Sequence, residues 1–156
     1  MSDERLVRSA ARGSADALSQ LIESLGPPVF GYLQGMLPDD ESAARALEET
    51  WVRLAKAVGR YKQGTGVTAW ALETARRVVA DVAPGAGTGA EGPPGIRAAL
   101  QALAPEDREL LVCRDALGMD LSSVARLARM STQDAGERLT AARVVLVEKA
   151  AGTLAR

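Results

Sequence analysis

Apolar residues recur every three or four positions along most of this chain, and a sustained alternation of period two appears nowhere. Leu18, Leu21, Ile22, Leu25, Val29, Tyr32 and Leu33 share one face of a helix predicted over about Ala15–Gln34. Gly26-Pro27-Pro28 lies inside that pattern and should break or kink it, because proline has no N–H to donate. A shorter amphipathic stretch, about Glu4–Arg12, precedes it. Ala43, Leu47, Trp51, Leu54 and Val58 mark a third helix. It opens at Pro38-Asp39-Asp40-Glu41, whose negative charges suit the positive end of a helix dipole. The loop Tyr61-Lys62-Gln63-Gly64-Thr65-Gly66 leads to a fourth helix, from about Thr68 to Val82.

The pattern then stops. Residues 83–95 read APGAGTGAEGPPG, a Gly- and Pro-rich linker. Gly87, Gly89 and Gly92 match a G-x-G-x-x-G spacing, but a phosphate loop needs a strand before it and a helix opening within it. Here a helical segment precedes and Pro93-Pro94 follows, so the linker reading is preferred. Beyond it, Ile96–Leu103 forms a short helix, and Pro105-Glu106-Asp107 opens another that ends at Gly118. Leu121–Ala128 and Thr132 to about Thr153 form a helix-turn-helix pair, with Ala135, Leu139, Ala142 and Leu146 on the core face of the second helix. The prediction is an all-α chain of two small helical domains, 1–82 and 96–156, joined by the linker 83–95.

Composition narrows the chemistry. Hydrophobic residues make up 47% of the 156 but aromatics only 3%, so the core must be built mainly of Ala, Leu and Val, which suits closely packed helices. Histidine is absent and there is one cysteine, which removes the usual zinc ligand sets, imidazole-dependent triads and any internal disulfide. Asp39-Asp40-Glu41 and Glu48-Glu49 read as helix-capping and solvated-face charges, without an accompanying nucleophile or base. The chain is therefore expected to be no enzyme, with no catalytic residue, metal or cofactor. Cys113, in the run Leu110-Leu111-Val112-Cys113, reads as a buried thiol, with a redox sensor as the alternative. The polar start MSDERLVRSAARG has no apolar signal core, and no later segment is long enough to span a bilayer, so a cytoplasmic protein without membrane insertion is expected.

Charge gives the helix-turn-helix an unusual character. The whole chain carries a net charge of −1. Between Ser131 and Ala150, Asp134, Glu137 and Glu148 balance Arg138, Arg143 and Lys149. A helix entering a DNA groove normally gains its affinity from Lys and Arg that displace counterions from phosphates.

In order and spacing the chain resembles the extracytoplasmic-function (ECF) sigma factors, small bacterial initiation factors built of two helical domains on a flexible linker. LVRSAARGSADALSQLIESLGPPVFGYL is similar to the opening of their first domain (region 2), and LEETWVRLAKAVGRY to the helix that docks on the polymerase clamp. AWALETARRVVADV resembles their promoter-melting helix. LAPEDRELLVCRDALGMDLSSVARLARMSTQDAGERLTAAR is similar to their second domain (region 4) and its helix-turn-helix. The resemblance implies two partners, core RNA polymerase and promoter DNA, with an anti-sigma factor or another protein as a third. Core polymerase would meet Arg45, Glu48, Glu49, Thr50 and Trp51. DNA would meet Arg60 and Lys62 in the loop 60–67, Trp70, Arg76, Arg77 and Asp81 on the fourth helix, and Arg129, Arg138 and Arg143 in the helix-turn-helix. From the residues alone, Trp51 and Trp70 read first as core, since they carry the largest apolar areas in an aromatic-poor chain.

The departures from that family fall on binding positions. Arg45 stands where the family usually has Asp, Glu48 where it has Gln, and Arg77 where it has Asn. The basic tail after Asp81 is replaced by Val82-Ala83-Pro84-Gly85. Arg129 occupies the usual turn glycine, so a left-handed position would carry a Cβ. Gly136, Ala141, Val144 and Val145 stand where Lys or Arg is typical. The resemblance thus implies a sigma-type initiation protein with weakened DNA reading. The alternative is a sigma-derived protein-interaction module that no longer reads promoters, with Ala141, Val144 and Val145 as its partner surface. For those valines, packing within their own domain is the competing reading.

Overall fold

The computed structural model describes residues 2–82 and 95–154. Among them are eight α-helices and no strand: α1 (Asp3–Ala11), α2 (Ala15–Met36), α3 (Asp40–Ala57), α4 (Val67–Val82), α5 (Ile96–Gln101), α6 (Pro105–Leu111), α7 (Leu121–Leu127) and α8 (Thr132–Leu154). A 3₁₀ turn, Val58–Arg60, follows α3, and a π-helical turn, Val112–Ala116, follows α6. The predicted all-α class holds. Both the linker and the Gly87-Gly89-Gly92 spacing lie outside the described residues, apart from Gly95 at the linker's end.

Side-chain caps set several helix starts. The Ser14 hydroxyl accepts the Ala17 N–H at 3.1 Å, the Asp39 carboxylate the Ser42 N–H at 2.7 Å, and the Asp120 carboxylate the Ser123 N–H at 2.9 Å. Each satisfies an N–H that the first turn leaves without an intrahelical partner. These bonds also hold the Asp39 and Asp120 carboxyls below the ordinary range.

The expected break in α2 does not occur. The helix runs through Pro27 and Pro28 without interruption. The prolines deprive the carbonyls of Glu23 and Ser24 of their donors, but those two residues are exposed, so water can take the place of the lost bonds. Gly26 removes the Cβ that would crowd the ring of Pro27. Leu25 and Val29, on the opposite side, stay buried.

Continuing the helix puts α2 at the centre of the molecule. It packs against α1, α3 and α4, and its C-terminal half also meets α5, α6 and the π turn. The two helical groups, α1–α4 and α5–α8, consequently share one continuous apolar core, from Leu6 to Ala142. Gly31 and Gly35, one turn apart on α2, make the close approach feasible. A Cβ on Gly35 would lie 2.4 Å from Cγ2 of Val112, and one on Gly31 would lie 3.0 Å from Cδ2 of Leu117. Arg108 fastens the same contact. Its guanidinium donates to the carbonyls of Leu100, Gln101 and Leu103 within its own group and to Met36 at the end of α2, at 2.8–3.0 Å. Nearby, Arg97 pairs with Asp40 at 2.7 Å and reaches the Leu37 carbonyl at 3.4 Å.

Candidate polymerase and nucleic-acid interfaces

On α3, Arg45, Glu48 and Glu49 are exposed. Their spacing of three and four residues puts them in one row, which continues to Val52, an apolar residue 47% exposed. Arg45 pairs with Glu41 and Arg53 with Glu49 along the same helix. Thr50 is a correction: it is fully buried, its hydroxyl donating to the Ala46 carbonyl at 2.7 Å, so it supports α3 from inside and offers nothing to a partner in this arrangement. Trp51 is half-buried against the core. The sequence reading did not single out Val52; its phase, three residues beyond Glu49, was the available signal.

The loop 60–67 is pinned at its base. The Tyr61 hydroxyl donates to Glu4 at 2.6 Å, and the Gly64 N–H reaches the same carboxylate oxygen at 3.3 Å. Burial, and then the Glu4 carboxylate, push the Tyr61 hydroxyl up to about 12. Its ring meets that of Trp70 edge to face, with centroids 5.1 Å apart. Trp70 is half-buried, so its main contact here is with the protein, while Arg60 and Lys62 stand exposed on the loop.

Among the described residues, all the arginines assigned to DNA except Arg60 in the loop meet carboxylates. Arg76 donates to Glu109 at 3.0 Å, Arg77 lies 3.5 Å from Glu73, and Arg129 lies 3.6 Å from the same Glu73 oxygen. In the helix-turn-helix, Arg138 holds Asp107 at 2.6 Å, and Arg143 forms a two-pronged pair with Asp115 at 2.6 and 2.9 Å. That pair draws the Asp115 carboxyl below its ordinary range. Asp81 accepts from Arg53 at 2.8 Å and so ties α4 to α3.

Two of these pairs, Arg76–Glu109 and Arg129–Glu73, cross between the helical groups. Glu109 is 4% exposed, the one buried carboxylate among the described residues. Its Oε2 also accepts the Tyr32 hydroxyl at 2.6 Å. Burial first, then the charge and hydrogen bond of Glu109, raise the Tyr32 hydroxyl well above its ordinary value. Cys113, one turn beyond Glu109, is fully buried and unpaired, and desolvation followed by the Glu109 charge pushes its thiol up to about 12. Tyr32, Arg76 and Glu109 themselves line a cavity of about 470 Å³ between α4 and α6, together with Met36, Arg77 and Arg129. Sequence reasoning took Tyr32 as core and passed over Glu109. The signal was a single acid three and four residues before Val112 and Cys113, on the face those two bury.

The helix-turn-helix keeps its shape despite its substitutions. Arg129 takes a φ of +58°, the left-handed conformation foreseen at the turn. Replacing it with glycine should stabilise the protein by up to about 1 kcal/mol, read as a rise in thermal midpoint, because glycine adopts this conformation without the Cβ penalty. The exposed pair with Glu73 that it removes is worth less. On α8, Ala135, Leu139 and Ala142 are buried as expected. Val144 and Val147 are 57% and 67% exposed, and Val145 and Ala141 are exposed as well, so these residues do not pack into their own domain.

Residues 21–83 match the sigma-70 region 2 family model. The matched segment contains the whole of α3, the loop 60–67 and α4. No curated protein sequence matches the chain. Among solved structures, CnrH in complex with the cytosolic domain of CnrY superposes with a TM-score of 0.81 at 19% identity, over 94% of this chain and 95% of that one. The sigma factor RpoE of Bartonella quintana, in complex with the anti-sigma factor NepR, superposes with a TM-score of 0.68 at 17% identity, over 84% of this chain and 94% of that one. The resemblance to the ECF sigma family is therefore borne out, by sequence in region 2 and by fold along the rest. Among the described residues no helix is long and apolar enough to cross a membrane.

Proposed function

We propose that the chain is an ECF-type transcription initiation protein that binds core RNA polymerase and brings it to promoter DNA, with weakened reading of the DNA. The observation that carries this reading is region 2 itself. Its matched segment presents Arg45, Glu48, Glu49 and Val52 as one exposed row on α3, on the helix that the family uses for docking. An apolar residue within a charged row suits a protein partner, since it adds buried area where the charges fix orientation. Promoter contact falls to Arg60, Lys62 and the α4 arginines, and then to Arg138 and Arg143. The role is one of binding in the cytoplasm, without covalent chemistry.

The decisive experiment is a tagged pull-down from the source cells. Recovery of the large polymerase subunits is expected, and loss of that recovery on Val52→Asp, which alters an exposed position and leaves the fold intact. Failure of the wild-type chain to retain polymerase overturns the reading.

A second reading, a sigma-derived interaction module, is favoured by one observation: the exposed Val144, Val145 and Val147 on a helix whose arginines are paired internally. Both sigma-like neighbours were solved with a bound protein, and this reading assigns a protein partner of that kind to the exposed valines. Recovery of another protein in place of polymerase, abolished by Val144→Asp, would establish it.

A further inference from the structure

The cavity between α4 and α6, about 470 Å³, falls within the range of about 300–1,000 Å³ typical of small-molecule sites. Its lining divides by chemistry. Met36, Val79 and Pro105 supply apolar surface, while Arg76 and Arg77 on α4 and Arg129 in the turn after α7 supply guanidiniums. The carboxylates among the lining residues do not use up that charge. Glu109 is matched by Arg76 at 3.0 Å and accepts the Tyr32 hydroxyl at 2.6 Å. Glu106 is shared with Arg138 of α8 at 3.9 Å. Glu73 is left to Arg77 and Arg129 together, which lie 3.5 and 3.6 Å from the same oxygen. Both distances exceed the roughly 2.7–2.9 Å of a close charge-assisted bond, and two cations share one anion. That corner is cationic beside apolar walls, in a chain whose net charge is −1. Arg129 adds a second observation. Its φ of +58° disfavours any residue with a Cβ, and an exposed pair at 3.6 Å does not offset that cost. Backbone strain held at the edge of a cavity is the pattern of a ligand-binding position.

We propose that this cavity binds a small amphipathic carboxylate, with its apolar body against Met36, Val79 and Pro105 and its head group between Arg77 and Arg129. Arg76, 33% exposed and bonded to Glu109 through Nε, offers its terminal nitrogens to the same head group. Medium-chain fatty acids and compact aromatic acids share this chemistry. The site goes beyond the reading of the chain as a promoter-binding protein and does not depend on it. Because the lining comes from both helical groups, an occupant favours the folded, joined chain by mass action.

Isothermal titration of the full chain with decanoate, and separately with naphthoate, tests the proposal. Saturable binding of at least one acid is expected, and the tighter of the two tells a fatty acid from an aromatic one. Decylammonium has the tail of decanoate and the opposite charge. It should bind about tenfold more weakly, although the net charge of the chain would favour it. Arg77→Ala alters an exposed position, and Arg129→Gly relaxes the turn, so both variants keep the fold. Each should weaken the acid about threefold, as exposed charges do, and the two together about tenfold. Ala80→Phe puts a ring into the cavity from an exposed position of α4, and should abolish binding with helical content unchanged. Failure of both acids to bind overturns the site. Equal affinity for decylammonium, or an affinity unchanged by removing both arginines, overturns the assignment of the head group. Binding unchanged in Ala80→Phe overturns the cavity as its place. A wild-type chain that retains no polymerase bears on the sigma reading alone and leaves these outcomes as they are.

Discussion

Tyr32→Ala should lower the thermal midpoint by about 8–16 °C, the largest effect expected of any single substitution in this protein. Two losses combine. Tyr32 is fully buried in the middle of α2, and emptying a buried aromatic site costs about 3–5 kcal/mol through lost transfer energy and the cavity left behind. Its hydroxyl is also a donor to buried Glu109, which would keep only Arg76 as a partner. For a chain of this length each kcal/mol moves the midpoint by about 2–4 °C, so a loss of about 4 kcal/mol gives the range stated. Tyr32→Phe separates the two terms, since it fills the cavity and removes only the donor. It should recover most of the loss. A midpoint for Tyr32→Ala within about 3 °C of wild type would mean that the junction around α2 is not formed in solution.

The second large effect belongs to Arg108→Met. The methionine keeps an unbranched apolar stem but abandons the carbonyls of Met36, Leu100, Gln101 and Leu103. Hydrogen bonds from a charged donor contribute about 1.5–3 kcal/mol each and are not additive, and water can reach part of this half-buried site. A net loss of about 3 kcal/mol is therefore expected, read as a midpoint about 6–12 °C lower. Arg108→Lys should restore under half of it, because a compact ammonium cannot match a planar fork that spans acceptors on two helical groups. Burial already lowers the guanidinium from its ordinary value, and arginine remains charged there where lysine would resist charging. A denaturant melt of the three proteins decides the matter. Equal midpoints for Arg108 and Met would remove Arg108 from the account of how the groups are joined.

Both residues show how the site diverges from a reading by motif. Arg76, Arg77, Arg129, Arg138 and Arg143 were assigned to DNA by their positions, and the structure puts a carboxylate against each. Most of these pairs are at least partly exposed and individually weak, so DNA phosphates at close range can compete for them. Arg76 differs because its partner is buried. Thr50, assigned to the docking row, lies inside the core, while its neighbour Val52 stands outside it.

By itself, the sequence determined the class of fold, the start and end of nearly every helix, and the left-handed turn at Arg129. These are local matters: apolar phase, capping side chains, and the steric cost of a Cβ act within a few residues of one another. It also carried the region 2 likeness, because the order of amphipathic segments survives where binding residues have changed. Tertiary structure alone decided that α2 passes unbroken through Pro27-Pro28, that Gly31 and Gly35 admit the π turn, and that Glu109 lies buried between Tyr32 and Arg76. Each depends on residues far apart in the chain, whose cost or gain is set by what the fold brings against them. A proline is tolerated when the carbonyls it frees face water. A buried charge is tolerated when the other half of the molecule supplies its partners.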